Sequence, residues 1–280
     1  MIIWLASYPK SGNTLLRSIL GTYFFSDDGI FSFDHLYKIG QFPSFDFFKQ
    51  AGVDISKMEE IFKNYIPAQK QLIQENNNKV KFLKTHSCFF SNENSSFSNL
   101  KNTLGAIYIV RDPRNVVTSM AHHYQLTQKE ALNRMNDKNS FIAKTETHAD
   151  IFVSSWNLNY QSWKKLKDKV LFIKYEDLIF QKKATLKKIF EYFITLGMKE
   201  SFIDNIKLEK VIETTEFEKM KKLENNVEFT EAVVDKKTNQ RIPFFNLGPK
   251  NIWEKILDRE VKESIEKDFK NEMQELGYLL

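Results

Sequence analysis

Cysteine is almost absent: Cys88 is the only one in 280 residues. An intrachain disulfide is therefore excluded, as is the paired-cysteine type of metal site, and a reducing, cytoplasmic setting is expected. Glycine and proline are sparse as well, at 9 and 6 residues, and no stretch rich in Pro, Gly or Ser divides the chain. With no internal repeat or low-complexity block, a single domain over residues 1–280 is expected, because α/β units on one continuous sheet run to this length. No apolar stretch reaches the roughly 20 residues needed to span a bilayer. The apolar start of the chain is short and has no basic lead-in, unlike a signal peptide. Charge of one sign is also lacking. The net charge is +5, and segments such as Lys164-Lys165-Leu166-Lys167-Asp168-Lys169 mix acids with bases. That pattern describes solvated helix surface more than a nucleic-acid footprint, so no nucleic-acid partner is expected. The small basic excess suits a multiply charged anionic ligand without identifying it.

What the chain does contain is a run of short apolar segments separated by helical patterns. The strand candidates are Ile2 to Ala6, Val80 to Leu83, Ala106 to Val110 and Val170 to Ile173, each apolar or β-branched. Between the first two, Leu15, Leu16, Ile19, Leu20, Tyr23 and Phe24 recur at helical spacing. Residues 26 to 48 read as irregular coverage near an acceptor pocket. A further helical pattern from Ile55 to Glu75 is interrupted by Pro67 and ended by Asn76-Asn77-Asn78. The alternation predicts an α/β fold: a central, mostly parallel sheet flanked by helices. Ligands of such sheets bind beyond the carboxyl ends of the strands.

The first strand ends in Tyr8-Pro9-Lys10-Ser11-Gly12-Asn13-Thr14. A strand, a polar loop and then a helix make a phosphate cradle, because backbone N–H groups, hydroxyls and the helix dipole all favour an anion there. In the nucleotide-binding loop G-x-x-x-x-G-K-[ST] the lysine follows the last glycine. Here Lys10 precedes Gly12. Taken alone, the segment also fits a turn whose Lys and Ser face water.

The loop resembles Y-P-K-S-G-T-T-W of the sulfotransferases that use 3′-phosphoadenosine 5′-phosphosulfate (PAPS), with Asn13 and Leu15 replacing a threonine and the tryptophan. Leu83-Lys84-Thr85-His86 is similar to the L-K-T-H segment that carries the catalytic base in the cytosolic members, although Cys88 stands where a proline is usual. Arg111-Asp112-Pro113-Arg114, with Ser119 eight residues after Arg111, resembles the 3′-phosphate segment; Asp112 also reads as a helix N-cap with Pro113 at the first helical position. Tyr175-Glu176-Asp177 resembles the Y-E-D segment near the adenine. Thr215-Glu216-Phe217 resembles T-S-F, whose phenylalanine stacks on the purine. The last segment, F-x-R-K-G-x-x-G-x-W, is only partly matched by Phe244 to Trp253, with Asn246 and Leu247 at the basic positions.

The chain is thus identified as a bacterial-like member of the PAPS-dependent sulfotransferase family. The resemblance implies a fold like that of P-loop nucleotide kinases and transfer of a sulfuryl group to a hydroxyl or amine of a small-molecule acceptor. Adenosine 3′,5′-bisphosphate (PAP) leaves, and no metal is implied. Lys10, Lys84, His86 and Ser119 are expected to carry the chemistry. Lys10, Ser11, Gly12, Asn13, Thr14, Leu15, Arg111, Ser119, Tyr175, Thr215, Phe217, Gly248 and Lys250 are expected to bind the donor, Lys250 standing in for a lost charge. Stretches 26 to 78 and 125 to 150 are left to the acceptor pocket.

Two other readings remain at this point. A P-loop phosphotransferase or nucleoside triphosphate hydrolase would need a Walker-B strand end, which is not evident. A noncatalytic nucleotide-binding module would fit the losses at Asn246 and Leu247. Asp150 and Glu176-Asp177 do not read as an acid/base pair and are assigned surface, capping or sheet-edge roles. His122-His123, adjacent on a helix, do not converge on a metal. Oligomeric state stays open, since the family's K-x-x-x-T-V-x-x-x-E dimer motif is not reproduced around Glu254, Asp258, Arg259 and Glu263.

Overall fold

Side chains along the first strand, β1 (Ile2–Ser7), point alternately into two separate cores. Ile2, Trp4 and Ala6 join Ala106, Tyr108 and Val110 on one face, whereas Ile3 and Leu5 join Ile107 and Ile109 on the other. This is the two-residue period of a strand buried on both faces. Each such aliphatic side chain contributes about 1.5–3 kcal/mol relative to exposure. The computed structural model describes residues 1–77, 79–199, 203–227, 229, 231–235 and 238–280.

After β1 come α1 (Asn13–Phe25), α2 (Phe33–Tyr37), α3 (Phe45–Gln50), α4 (Met58–Lys63) and α5 (Tyr65–Glu75). Then follow β2 (Lys81–Thr85), β3 (Thr103–Val110), α6 (Pro113–Tyr124), α7 (Gln128–Asn136), the short pair β4 (Phe141–Ile142) and β5 (Ile151–Phe152), and α8 (Trp156–Trp163). Next are β6 (Val170–Lys174), α9 (Tyr175–Phe180), α10 (Lys182–Thr195), α11 (Asn205–Thr214) and α12 (Phe217–Glu224). A second short pair, β7 (Val233–Val234) and β8 (Arg241–Ile242), precedes α13 (Trp253–Ile256), α14 (Arg259–Asp268) and α15 (Lys270–Glu275).

The main sheet has the order β2-β1-β3-β6, and every pairing in it is parallel. The predicted α/β architecture is therefore present, with all four expected strands in one sheet and their carboxyl ends along one edge. Two local expectations need correction. The Ile55 to Glu75 pattern breaks at Asn64, and Pro67 sits in the first turn of α5, where its missing N–H costs little. Residues 26 to 48 are not irregular throughout, because they form α2 and the start of α3. Gln41 also pairs alongside Lys84, with Phe42 N–H donating to Lys84 O at 2.9 Å. Asn77 takes a positive φ of 51° at the predicted turn, whereas Asn78 lies outside the described residues.

The last helices are fastened to the strand ends. Arg114 donates to Asp112 Oδ2 and Glu266 Oε1, both at 2.7 Å, and to Tyr278 O at 2.9 Å. Its guanidinium also lies 4.0 Å from the Trp253 ring. No helix among the described residues is long and apolar enough to cross a membrane.

Candidate active site

The turn after β1 is built to face an anion. Lys10 and Gly12 both adopt positive φ, 64° and 100°, so successive N–H groups turn inward. Helical bonding resumes only with Leu16 N–H to Gly12 O at 3.2 Å, which leaves the N–H groups of the first turn without helical acceptors. No acidic side chain occupies that turn. Gly12 is required twice over: a Cβ there would stand 2.4 Å from Cδ2 of Tyr175, in a backbone conformation that L-residues rarely adopt. Gly12→Ala is expected to lower stability by about 1–3 kcal/mol and to displace the Tyr175 ring. Urea unfolding checks this, and an unchanged midpoint would count against it.

The β2 end supplies Lys84 and His86. Lys84 is buried, and its Nζ lies 3.2 Å from Glu231 Oε1; burial lowers its pKa, and Glu231 opposes the shift. Nδ1 of His86 lies 2.9 Å from Ser7 O. A carbonyl only accepts, so Nδ1 carries the proton and Nε2 keeps its lone pair. Burial, with the nearby Lys84 charge, pushes the imidazole down to about 3. The turn beyond differs from one with proline at position 88. Cys88 N–H donates to Phe152 O at 2.9 Å, a bond proline lacks, and Asn159 Nδ2 holds His86 O at 3.0 Å.

The β3 end follows the predicted cap. Asp112 accepts from Arg114 N–H at 2.9 Å with Pro113 at the first helical position. Arg111 is buried; its Nη1 donates to Lys10 O at 3.0 Å and its guanidinium lies 4.3 Å from the Tyr175 ring. Two strand ends are thereby tied to the loop. Glu176, assigned a surface, capping or sheet-edge role from the sequence, sits at the β3 end, where it accepts from Asp112 N–H at 3.1 Å and from Tyr278 OH at 2.9 Å.

These groups line one cavity of about 580 Å³. Its wall includes Lys10, Gly12, Asn13, Thr14, Leu15, Lys84, His86, Arg111, Ser119, Tyr175, Phe217 and Gly248. Phe217 packs directly on Gly248, where a Cβ would lie 2.2 Å from the ring. Three predicted binding residues are not on this wall. Ser11 is fully buried, with a hydroxyl that finds no partner among the described residues. Thr215 spends its hydroxyl on Val211 O at 2.7 Å. Lys250 corrects the expectation of a replacement charge, since its Nζ pairs with Glu218 Oε1 at 3.0 Å on the exposed surface. Asn13 reaches the wall, yet its amide donates inward to Leu5 O at 2.9 Å.

Residues to which the sequence reading gave no role in donor binding or catalysis complete the site. Glu231 accepts from Thr14 Oγ1 at 2.6 Å, from Lys84 and from Arg17 Nη1. The Lys84 and Arg17 charges and these bonds hold its carboxyl far below the usual range despite burial. Thr14 and Glu231 are 217 positions apart, so no local pattern signals the pair. Phe244 lies 4.0 Å from Lys10 Nζ, and His122 and His123 also reach the wall. Burial and the Lys10 charge lower the His123 pKa to about 3. Gln41, Gln128, Ile142 and Thr145 are the wall's share of stretches 26 to 78 and 125 to 150. Among the described residues no cluster of three or more His, Cys, Asp or Glu is arranged to hold a metal.

Comparison with known proteins agrees with this geometry. Rat sulfotransferase 1A1 is 27% identical over 260 residues, covering 89% of this chain and 76% of the relative. Mouse sulfotransferase SULT7A1 complexed with PAP superposes with a TM-score of 0.58 at 20% identity, over 97% of this chain and 83% of that one. Retinol dehydratase, in a complex with retinol and PAP, gives 0.58 at 18% identity, over 97% and 81%. These two likenesses speak to the fold. Residues 2–277 match the sulfotransferase domain family, and the chain belongs to it.

Proposed function

We propose that this sulfotransferase moves the sulfuryl group of PAPS to a hydroxyl or amine of a small-molecule acceptor, releasing PAP. One observation carries the reading: Lys10, Lys84, His86, Arg111, Ser119, Tyr175 and Phe217, from five separate segments, line the same cavity. The PAP present in the mouse relative's structure is in keeping with that donor. The wall also fits a polyanion, since Arg111 Nε is buried without a partner among the described residues. Such a group calls for a ligand acceptor or water.

The donor supplies an activated sulfuryl group and a phosphate leaving oxygen. The turn N–H groups at Gly12 to Leu15, with Thr14 Oγ1, hold the 5′ end. Lys10 sets a positive charge where the leaving oxygen gains negative charge, a preorganised stabilisation that water cannot match. Lys84 orients the transferring group. Arg111 and Ser119 hold the 3′-phosphate, and Tyr175 and Phe217 flank the base. His86 takes the acceptor proton at Nε2 while Nδ1–H stays on Ser7 O.

Incubation with PAPS labelled in the sulfuryl group, and with mixed small alcohols, phenols and amines, tests the reading. Label is expected to move to an acceptor in the absence of added metal. Tight PAP binding with no labelled product across the panel would replace the transferase by a binding module.

A further inference from the structure

The anion cradle is already engaged by the chain's own carboxylate. Thr14 Oγ1, Lys84 Nζ and Arg17 Nη1 all converge on Glu231. Thr14 and Lys84 are two of the groups assigned above to the donor's 5′ end and transferring group. Thr14 has one hydroxyl hydrogen and serves one acceptor at a time, and at Lys84, whose ammonium has three, two anions packed side by side repel. We infer that Glu231 is a built-in competitor at the donor site: its carboxylate competes with the incoming anion for Thr14 and Lys84, and binding exchanges one for the other. The identity of that anion rests on the PAPS reading; the competition itself does not.

The cradle stays in place without Glu231. Thr14 and Arg17 lie three residues apart on α1, on one face, and Arg17 Nη2 is separately anchored on Leu36 O at 3.3 Å and Ile39 O at 2.9 Å. Glu231 has less to hold it. It lies in a turn outside any helix or strand, and its side chain retains 19% exposure, so the carboxylate has a way to water by rotation. The exchange lowers the affinity of every cradle anion by the same factor, the fraction of molecules in which the cradle is open. Inorganic sulfate, held only there, falls below useful occupancy. A nucleotide held also at Arg111, Tyr175 and Phe217 remains bound, so the carboxylate keeps the site for multiply anchored ligands.

Binding of inorganic sulfate and of PAP, measured by calorimetry at constant ionic strength, tests the inference in the native protein, E231Q and E231D. Glu231→Gln keeps the shape and an acceptor oxygen but removes the charge, and is expected to tighten both ligands by about tenfold. Glu231→Asp keeps the charge and withdraws the carboxylate by one methylene, so a smaller gain is expected and the protein keeps a counter-charge should Gln fail to fold. A purely structural ion pair predicts unchanged or weaker binding in the variants, which would overturn the inference. PAP bound equally by all folded proteins keeps the PAPS reading and overturns the competition. Sulfate tightened while PAP binds to none keeps the competition and overturns the PAPS reading.

Discussion

Replacing Lys10 by Met is expected to lower kcat by about 10²–10³-fold while the acceptor KM changes by less than about threefold. Met keeps the length and the contact with Phe244, whose ring centre lies 4.0 Å from Nζ, so the loss reports charge more than packing. The same lysine gives a pH signature. Burial pushes its ammonium down to about 7; Glu231 opposes that shift, and the charges of Arg111 and Lys84 add to it. The charged form is therefore populated below pH 7 and lost as pH rises through it. An anion seated against Nζ favours the charged form, so PAP binding above pH 7 takes up a proton. Its Kd is expected to rise by up to about tenfold per pH unit above 7 in the native protein, and this component is absent in K10M. Near-native kcat in K10M, or the same pH slope in both proteins, would remove Lys10 from the role.

The parts of this site that can be read in the sequence are those whose chemistry is local. Gly12, the Asp112-Pro113 start of α6 and the apolar runs of β1, β2, β3 and β6 declare themselves within a few residues, because turns, caps and two-faced strands are short-range devices. The parallel sheet then brings the strand ends to one edge without further instruction. What stays hidden depends on the partner each polar group finds in the folded chain. Glu231 meets Thr14 across 217 positions. Lys250 has the right type for a phosphate ligand, but Glu218 holds it on the surface. Asn13 stands at a loop position where the family has threonine, yet its amide is drawn back to Leu5 O. Thr215 likewise caps its own helix through Val211 O. In each case a local polar acceptor or counter-charge wins over the ligand role that residue type and spacing suggest.

His86→Asn is expected to cost about 10²–10⁴-fold in kcat with PAP affinity unchanged. The asparagine amide reproduces the donor that Nδ1–H presents to Ser7 O at 2.9 Å, so the turn is kept; what disappears is the second ring nitrogen that accepts the proton. Burial and the neighbouring Lys84 charge hold the imidazole at about 3 in the free protein. The neutral base is thus present throughout the range above that value and is lost only as pH falls through it. A weak base at pH 7 gives little driving force for proton transfer. The donor brings more negative charge to Lys84 than the Glu231 carboxylate it displaces, offsets more of the charge that depresses His86, and so raises its basicity when bound. The kcat/KM profile at low donor concentration is therefore expected to show no acid limb from His86 near pH 6.5. In kcat, measured with both substrates saturating, the limb moves upward toward the ordinary imidazole range. An H86N protein that retains native kcat, or limbs that coincide in the two profiles, would show that the proton leaves by another path.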